Sequence, residues 1–201
     1  MKKQLFVCIA LSVATFFATN SMAQNLSIGG SIKTEQNVLV EQVTVELTND
    51  QGVVLQSVVS NGNYLFSGLA PGNYRVLPAK TVNPLNGVST FDIVLGSRHL
   101  LGLAPIASPY AVLAADINRD GAISVWDFVY ARMLVLGIQP DFQDHQSWRF
   151  VRSDLSLLAS NPFPLAYGAS NDITLTNSDV TNFNFIGYKV FDLNNSAAPE
   201  N

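Results

Sequence analysis

Asp116-Ile-Asn-Arg-Asp-Gly-Ala-Ile-Ser-Val-Trp-Asp127 is the stretch whose residue types and spacing carry the plainest chemistry in the chain. Oxygen-bearing side chains alternate at Asp116, Asn118 and Asp120, Gly121 follows, and Ser124 and Asp127 close the run. Calcium is a hard cation that takes six to eight oxygens. A twelve-residue loop delivers them from positions 1, 3, 5, 7, 9 and 12, with glycine at 6 for the sharp turn. The predicted donors are therefore Asp116, Asn118, Asp120, the Ala122 carbonyl, Ser124 and Asp127, and the predicted cofactor is Ca2+. Ile123 takes the apolar anchor position. The competing reading is a solvated Asx turn before a helix.

The elements that must hold this loop read as a duplication. Residues 88–102, VSTFDIVLGSRHLLG, align without a gap to residues 123–137, ISVWDFVYARMLVLG. Ser89 matches Ser124, Asp92 matches Asp127 and Gly102 matches Gly137. In each copy apolar residues recur three and four positions apart after the Asp, and the run stops at a Gly suited to a helix C-terminus. The first loop is poorer in oxygen. Counting back from Asp92 puts Thr81, Asn83, Leu85 and Asn86 at positions 1, 3, 5 and 6. Asn83, the Gly87 carbonyl, Ser89 and Asp92 remain as a weak second metal site, and Asp192 and Asn194 are candidates to fold back and add oxygens.

A loop followed by one helix, duplicated, with Asp at position 12, resembles the type I dockerin domain, in a variety found in large secreted proteins of the Bacteroidetes group. The resemblance covers residues 81–140, and the later SWRFV fits the same variety. It implies a calcium-folded pair of helices that docks onto a cohesin domain, often in polysaccharide-degrading assemblies. It assigns partner reading to Thr90, Phe91 and Arg98 in the first repeat, and to Val125, Trp126 and Arg132 in the second. An exposed Trp beside an Arg has the composition of an interface hot spot. The alternative is that Phe91 and Trp126 pack between the helices or against the preceding strands.

Ahead of this module, residues 24–80 read as β. Val43, Val45 and Leu47 alternate with Thr44 and Glu46, as in a strand with one buried face. Tyr64 and Phe66 share a face, Pro71-Gly72 makes a turn, and Tyr74 and Val76 resume the alternation. The string Gly62, Tyr64, Phe66, Leu69, Pro71, Gly72, Tyr74 resembles secreted prealbumin-like modules related to the Cna B-type and carboxypeptidase regulatory-like domains. Pro78 stands where relatives with a Lys–Asn isopeptide bond carry a Glu, so no such crosslink is expected. Residues 141–201 form a tail with strand-like DITLTN and FNFIGYKVFDL, ending in a polar stretch expected to be disordered. The predicted fold class is α+β in two modules: a prealbumin-like β-sandwich, then a small all-α pair of loop–helix repeats, with a β-containing tail.

Residues 1–23 read as a secretory signal. Lys2 and Lys3 precede an uncharged apolar run from Leu5 to Ala18, and Ser21-Met22-Ala23 offers small residues for cleavage. The lone cysteine, Cys8, falls inside it, so disulfides and thiol chemistry are not expected in the mature chain. Removing the two lysines leaves nine basic against 15 acidic residues. That balance argues against nucleic acid and anionic membranes as partners. Catalytic vocabulary is sparse: His99 and His145 share no metal-ligand spacing, and no nucleophile elbow, zinc helix or phosphate loop occurs. The expected function is a secreted, non-catalytic, calcium-binding adaptor for a cohesin-type partner. A structural or adhesive subunit without such a partner, and a polysaccharide-binding or polysaccharide-degrading accessory protein, stay open beside it.

Overall fold

The computed structural model describes residues 25–201; the expected signal and Cys8 lie outside them. The described chain is mixed α+β, mostly β, with two four-stranded sheets and four helices. Among the described residues no helix is long and apolar enough to cross a membrane.

The first five strands are β1 (Leu26–Lys33), β2 (Val43–Asn49), β3 (Val54–Ser60), β4 (Asn63–Leu69) and β5 (Gly72–Ala79). They follow the alternation in the sequence. Val43, Val45 and Leu47 are all fully buried, as are Phe66 and Val76, while Thr44, Glu46, Leu65, Ser67, Arg75 and Leu77 between and beside them are not. Helices α1 (Thr90–Leu100), α2 (Pro109–Ala115) and α3 (Val125–Val135) come next. Strand β6 (Trp148–Arg152), helix α4 (Phe163–Gly168), and strands β7 (Asp172–Leu175) and β8 (Phe185–Lys189) complete the chain.

The sheet orders are β4-β1-β8-β6 and β3-β2-β5-β7, antiparallel throughout except that β1 and β8 run parallel. Residues of both sheets meet in one core, with Ile28, Ile32 and Phe66 from one and Val43, Val45, Leu47 and Val76 from the other. Trp148, Leu175, Phe183 and Phe185 belong to the same core. Residues 141–201 are thus not an appendage: they supply three of the eight strands. Without them β1 and β4 would form a two-stranded ribbon, which is marginal in water. β8 supplies the missing neighbour of β1, at Ile32↔Phe185.

The polar terminus, expected to be disordered, is bound along its length. The Pro199 carbonyl accepts from the Glu41 N–H at 3.1 Å and from Lys80 Nζ at 2.8 Å. Asn86 exchanges hydrogen bonds with both backbone groups of Ala198, at 2.7 and 3.1 Å. Low hydrophobicity predicts disorder only when nothing presents matching donors and acceptors.

α1 and α3 are the two predicted repeats, and their ends match. Ser89 and Ser124 cap the first turns, each in a reciprocal capping box with the Asp three residues on. Gly102 and Gly137 both take φ 68°, and each helix closes with paired bonds, such as Leu103 N–H to Arg98 O and Ile138 N–H to Met133 O, both 2.8 Å. The helices touch where Gly96 of α1 meets the Phe128 ring of α3. Their core is not all-helical, because Val190 and Phe191, just past β8, are buried in it. α2 was not foreseen. Its seven residues are nearly all buried, so it shows no amphipathic period to read, and it packs on β8.

Candidate functional site

The loop from Asp116 to Asp127 runs from the end of α2 to the start of α3. Asp116 is fully buried and its carboxylate gathers the turn. Oδ1 accepts from the Asp120 N–H at 3.2 Å, and Oδ2 from the Gly121 N–H at 2.9 Å. Asn118 Oδ1 accepts from the Asp120 N–H at 3.1 Å, and Asp120 Oδ1 from the Ala122 N–H at 3.0 Å. Arg119 and Gly121 adopt left-handed backbone, φ 58° and 86°, which wraps the chain around this set of oxygens. Glycine at the second of these costs no Cβ strain.

Ser124 and Asp127 close the loop onto α3. Ser124 Oγ accepts from the Trp126 N–H and donates to Asp127 Oδ2 at 3.1 Å. Asp127 is fully buried. Its Oδ2 also accepts from the Ser124 N–H at 2.8 Å, and its Oδ1 from the Ile117 N–H at 2.8 Å. A longer contact of 3.3 Å joins Asn118 N–H to the same Oδ1. The predicted twelfth ligand therefore already works as a cap and as a clasp across the loop. A cation would compete for it with the rotatable Ser124 hydroxyl and the long Asn118 contact.

Two groups that spacing could not reveal complete the surroundings. Tyr167, on α4, donates its hydroxyl to Asp116 Oδ2 at 3.0 Å, with Arg119 stacked over its ring at 4.9 Å. Arg149, on β6, donates to the Asp116 carbonyl at 2.9 Å and the Ile117 carbonyl at 2.6 Å, and pairs with Asp144 at 2.9 Å. Both come from residues 141–201, outside the two loop–helix repeats.

The electrostatics are one-sided. Burial pushes the Asp116 carboxyl above its ordinary range, and neighbouring Asp127 and Asp120 add to this. The Gly121 and Tyr167 hydrogen bonds oppose it. Among the described residues neither Asp116 nor Asp127 has a Lys, Arg or His partner in an ion pair. Buried carboxylates without a cation are costly. Among the described residues no three carboxylate, imidazole or thiol groups converge as a ready metal centre. The loop instead offers two buried carboxylates and Asp120 beside amide, hydroxyl and carbonyl oxygens. That hard-oxygen donor chemistry fits calcium.

The weak second set divides. Asn83 stands apart in a turn closed by the Asn86 N–H on its carbonyl, 3.0 Å. Asp92 is fully buried and accepts from the Ser89 N–H and hydroxyl, both 2.9 Å, and from the Leu193 N–H at 2.9 Å. The Gly87 carbonyl accepts from Ser196 Oγ at 3.2 Å. Gly87, Ser89 and Asp92 are thus gathered with the segment starting at Asp192, which is 5% exposed, and not with Asn83.

All six residues assigned to partner reading lie at the surface: Thr90, Phe91 and Arg98 on α1, and Val125, Trp126 and Arg132 on α3. Phe91 is 55% exposed and Trp126 65%, so neither packs between the helices or under the sheets. Tyr167 is committed to Asp116 and Tyr188 is buried, so neither tyrosine of this segment is free to stack on a ligand. His99 is committed too, its Nδ1 accepting the Ile106 N–H at 3.0 Å. His145 is exposed beside Asp141.

No family model matches the chain. A stretch of 72 residues, 35% of the chain, is 39% identical to chitinase ChiA of Flavobacterium johnsoniae. The chain spans 4% of the length of that protein, so the similarity is between segments and leaves the rest of the chitinase without a counterpart here.

Proposed function

We propose that this protein is a secreted, non-catalytic adaptor in which a prealbumin-like β-sandwich carries a dockerin-like pair of loop–helix repeats. Calcium is held in the 116–127 loop by Asp116, Asn118, Asp120 and the Ala122 carbonyl, with Ser124 and Asp127 closing it. The ion offsets the repulsion of carboxylates that have no basic partner and couples loop closure to folding. The partner is a cohesin-type domain, met by the faces bearing Phe91 with Arg98 and Trp126 with Arg132. The observation that carries this reading is the joint arrangement of a cation-poor oxygen loop and a large exposed aromatic on the helix it leads into. A short segment shared with a far longer chitinase is consistent with a portable module in polysaccharide-associated proteins.

A structural or adhesive subunit is the second reading. The observation favouring it is that the helical core is fused to β8 through Val190 and Phe191. Thermal unfolding with calcium and with a chelator tests the ion: Asp120→Ala should abolish the part of the calcium-dependent rise in Tm that this loop contributes. Pull-down with cohesin-bearing proteins of the producing organism tests the partner. Trp126→Ala should weaken capture and leave stability within about 0.5 kcal/mol, as for an exposed position. Calcium stabilisation without any capture would move the conclusion to the structural reading.

A further inference from the structure

β6 pairs with β8 along its whole length, but on the other edge of β8 the pairing stops partway. On the β6 side the Ser153 N–H donates to the Asn184 carbonyl at 2.9 Å and the Val190 N–H to the Ser147 carbonyl at 3.1 Å. Bonded residues alternate along an antiparallel pair, so Ile186 and Tyr188 also bond toward β6. Phe185, Gly187 and Lys189 turn their backbone groups the other way. There β1 pairs only with Phe185 and Ile186, through Ile32 and Lys33. Past Lys33 the chain doubles back, with the Thr34 N–H on the Val38 carbonyl at 2.7 Å and Leu39 bridged to Lys33. Glu35 accepts from the Ser108 hydroxyl at the start of α2 at 2.6 Å, which fixes this turn beside the gap.

Where β1 would continue, there is a cavity of about 160 Å³. Gly187 and Lys189 line it from β8, Thr34 and Val38 from the turn, and Ala114 from α2. The Lys189 carbonyl is taken by the Asp192 N–H at 3.3 Å, so the Gly187 carbonyl and the Lys189 N–H are the β8 groups directed at the gap. A second observation is independent of the ladder. Trp148 lines the same cavity, is 2% exposed, and stands opposite Lys189 on one face of the sheet. Among the described residues its Nε1 is the one buried side-chain nitrogen or oxygen without a hydrogen-bond partner. Buried donors are nearly always paired, so this one lacks an acceptor that the cavity has room to hold.

In a parallel ladder one residue bonds through its own N–H and C=O to the two residues that flank its partner, as Lys33 does at Ile186. The next such position on β8 offers the Gly187 carbonyl and the Lys189 N–H. We infer that this slot binds one extended residue of a peptide main chain, laid parallel to β8 in the place that β1 vacates. The residue's N–H donates to the Gly187 carbonyl, its C=O accepts from the Lys189 N–H, and Trp148 Nε1 donates to the carbonyl of an adjoining residue. The size fits such a group. The cavity is well below the roughly 300–1,000 Å³ of pockets for drug-sized ligands, and close to the ~150 Å³ of an engineered cavity that takes benzene. A residue with a small side chain enters; a bulky one does not.

NMR titration of the isotope-labelled protein with N-acetylglycine N-methylamide tests this. The chain has two tryptophans, so its indole N–H signals are two, and Trp126→Phe assigns them. The expected result is a saturable shift of the Trp148 indole and the Lys189 amide, with the exposed Trp126 indole unmoved. N-acetylsarcosine N-methylamide lacks the central N–H and should bind about tenfold more weakly, the loss of one hydrogen bond. Val38 lines the cavity yet is 48% exposed, so Val38→Phe narrows the slot without touching the core and should abolish the shifts in a folded protein. Equal binding of the two probes, or shifts that persist in Val38→Phe, overturns the main-chain slot. So does a Trp148 indole that contacts water and ignores both probes, since an ordered water is then its partner.

Discussion

Gly96→Ala probes whether the two repeats are seated on one another as described. A Cβ built on Gly96 lies 2.5 Å from Phe128 Cε1, 3.1 Å from its Cζ and 3.2 Å from Leu193 Cδ1. The ring has little room to move away, because Phe128 is 4% exposed and packs edge-on against the fully buried Phe191, centroids 5.8 Å apart. Alanine gains about 1 kcal/mol over glycine in a helix interior. Forcing an extra carbon into a packed core costs about 1–3 kcal/mol. The close approach is to a wedged ring, so the upper part of that range applies and the net loss is about 1–2 kcal/mol. For a chain of this size each kcal/mol moves Tm by about 2–4 °C, giving a drop of roughly 2–8 °C. Gly168→Ala is the control, since its Cβ meets nothing within 4 Å. Thermal unfolding followed by circular dichroism at fixed calcium reads both. A Tm for Gly96→Ala equal to or above that of Gly168→Ala would refute the packing of α1 on α3.

Arg149→Leu should destabilise by about 2–4 kcal/mol in urea unfolding, because the buried Asp116 and Ile117 carbonyls lose their donors while the partly exposed Asp144 is hydrated; a loss under about 1 kcal/mol would show that the guanidinium does not brace the loop. Lys189 gives a pH signature. Its ammonium is buried against the Pro84 and Ser147 carbonyls, and burial lowers it from 10.5 to about 7. Between those values the unfolded chain holds a proton that the folded chain has released, so stability should rise with pH across that window. In Lys189→Met, urea midpoints measured from pH 7 to 10 should rise less steeply than in the wild type; an unchanged slope would sink the assignment.

How much of this was legible in the sequence differs from element to element. β2 was readable because one face is buried and the other is not, so Val43, Val45 and Leu47 alternate with polar residues. α1 and α3 were readable because caps, spacing and terminal glycines are local signals, and they occur twice. α2 was not, since a helix buried nearly all round shows no period. Of the site, the 116–127 donors are neighbours in the chain and their spacing is visible. The partners Tyr167 and Arg149 are brought in by packing, and no local pattern marks them.

By itself the sequence determined whatever is settled within a dozen residues: strand faces, helix caps and the oxygen alternation of one loop. Local hydrogen bonding and side-chain periodicity decide these before any distant contact forms. Only the tertiary structure decided that residues 141–201 complete both sheets and that Asp192 stands beside Asp92. The reason is physical. A two-stranded β1–β4 ribbon leaves backbone groups and apolar faces unsatisfied, and the chain meets that demand with β8, drawing the residues after it onto α1.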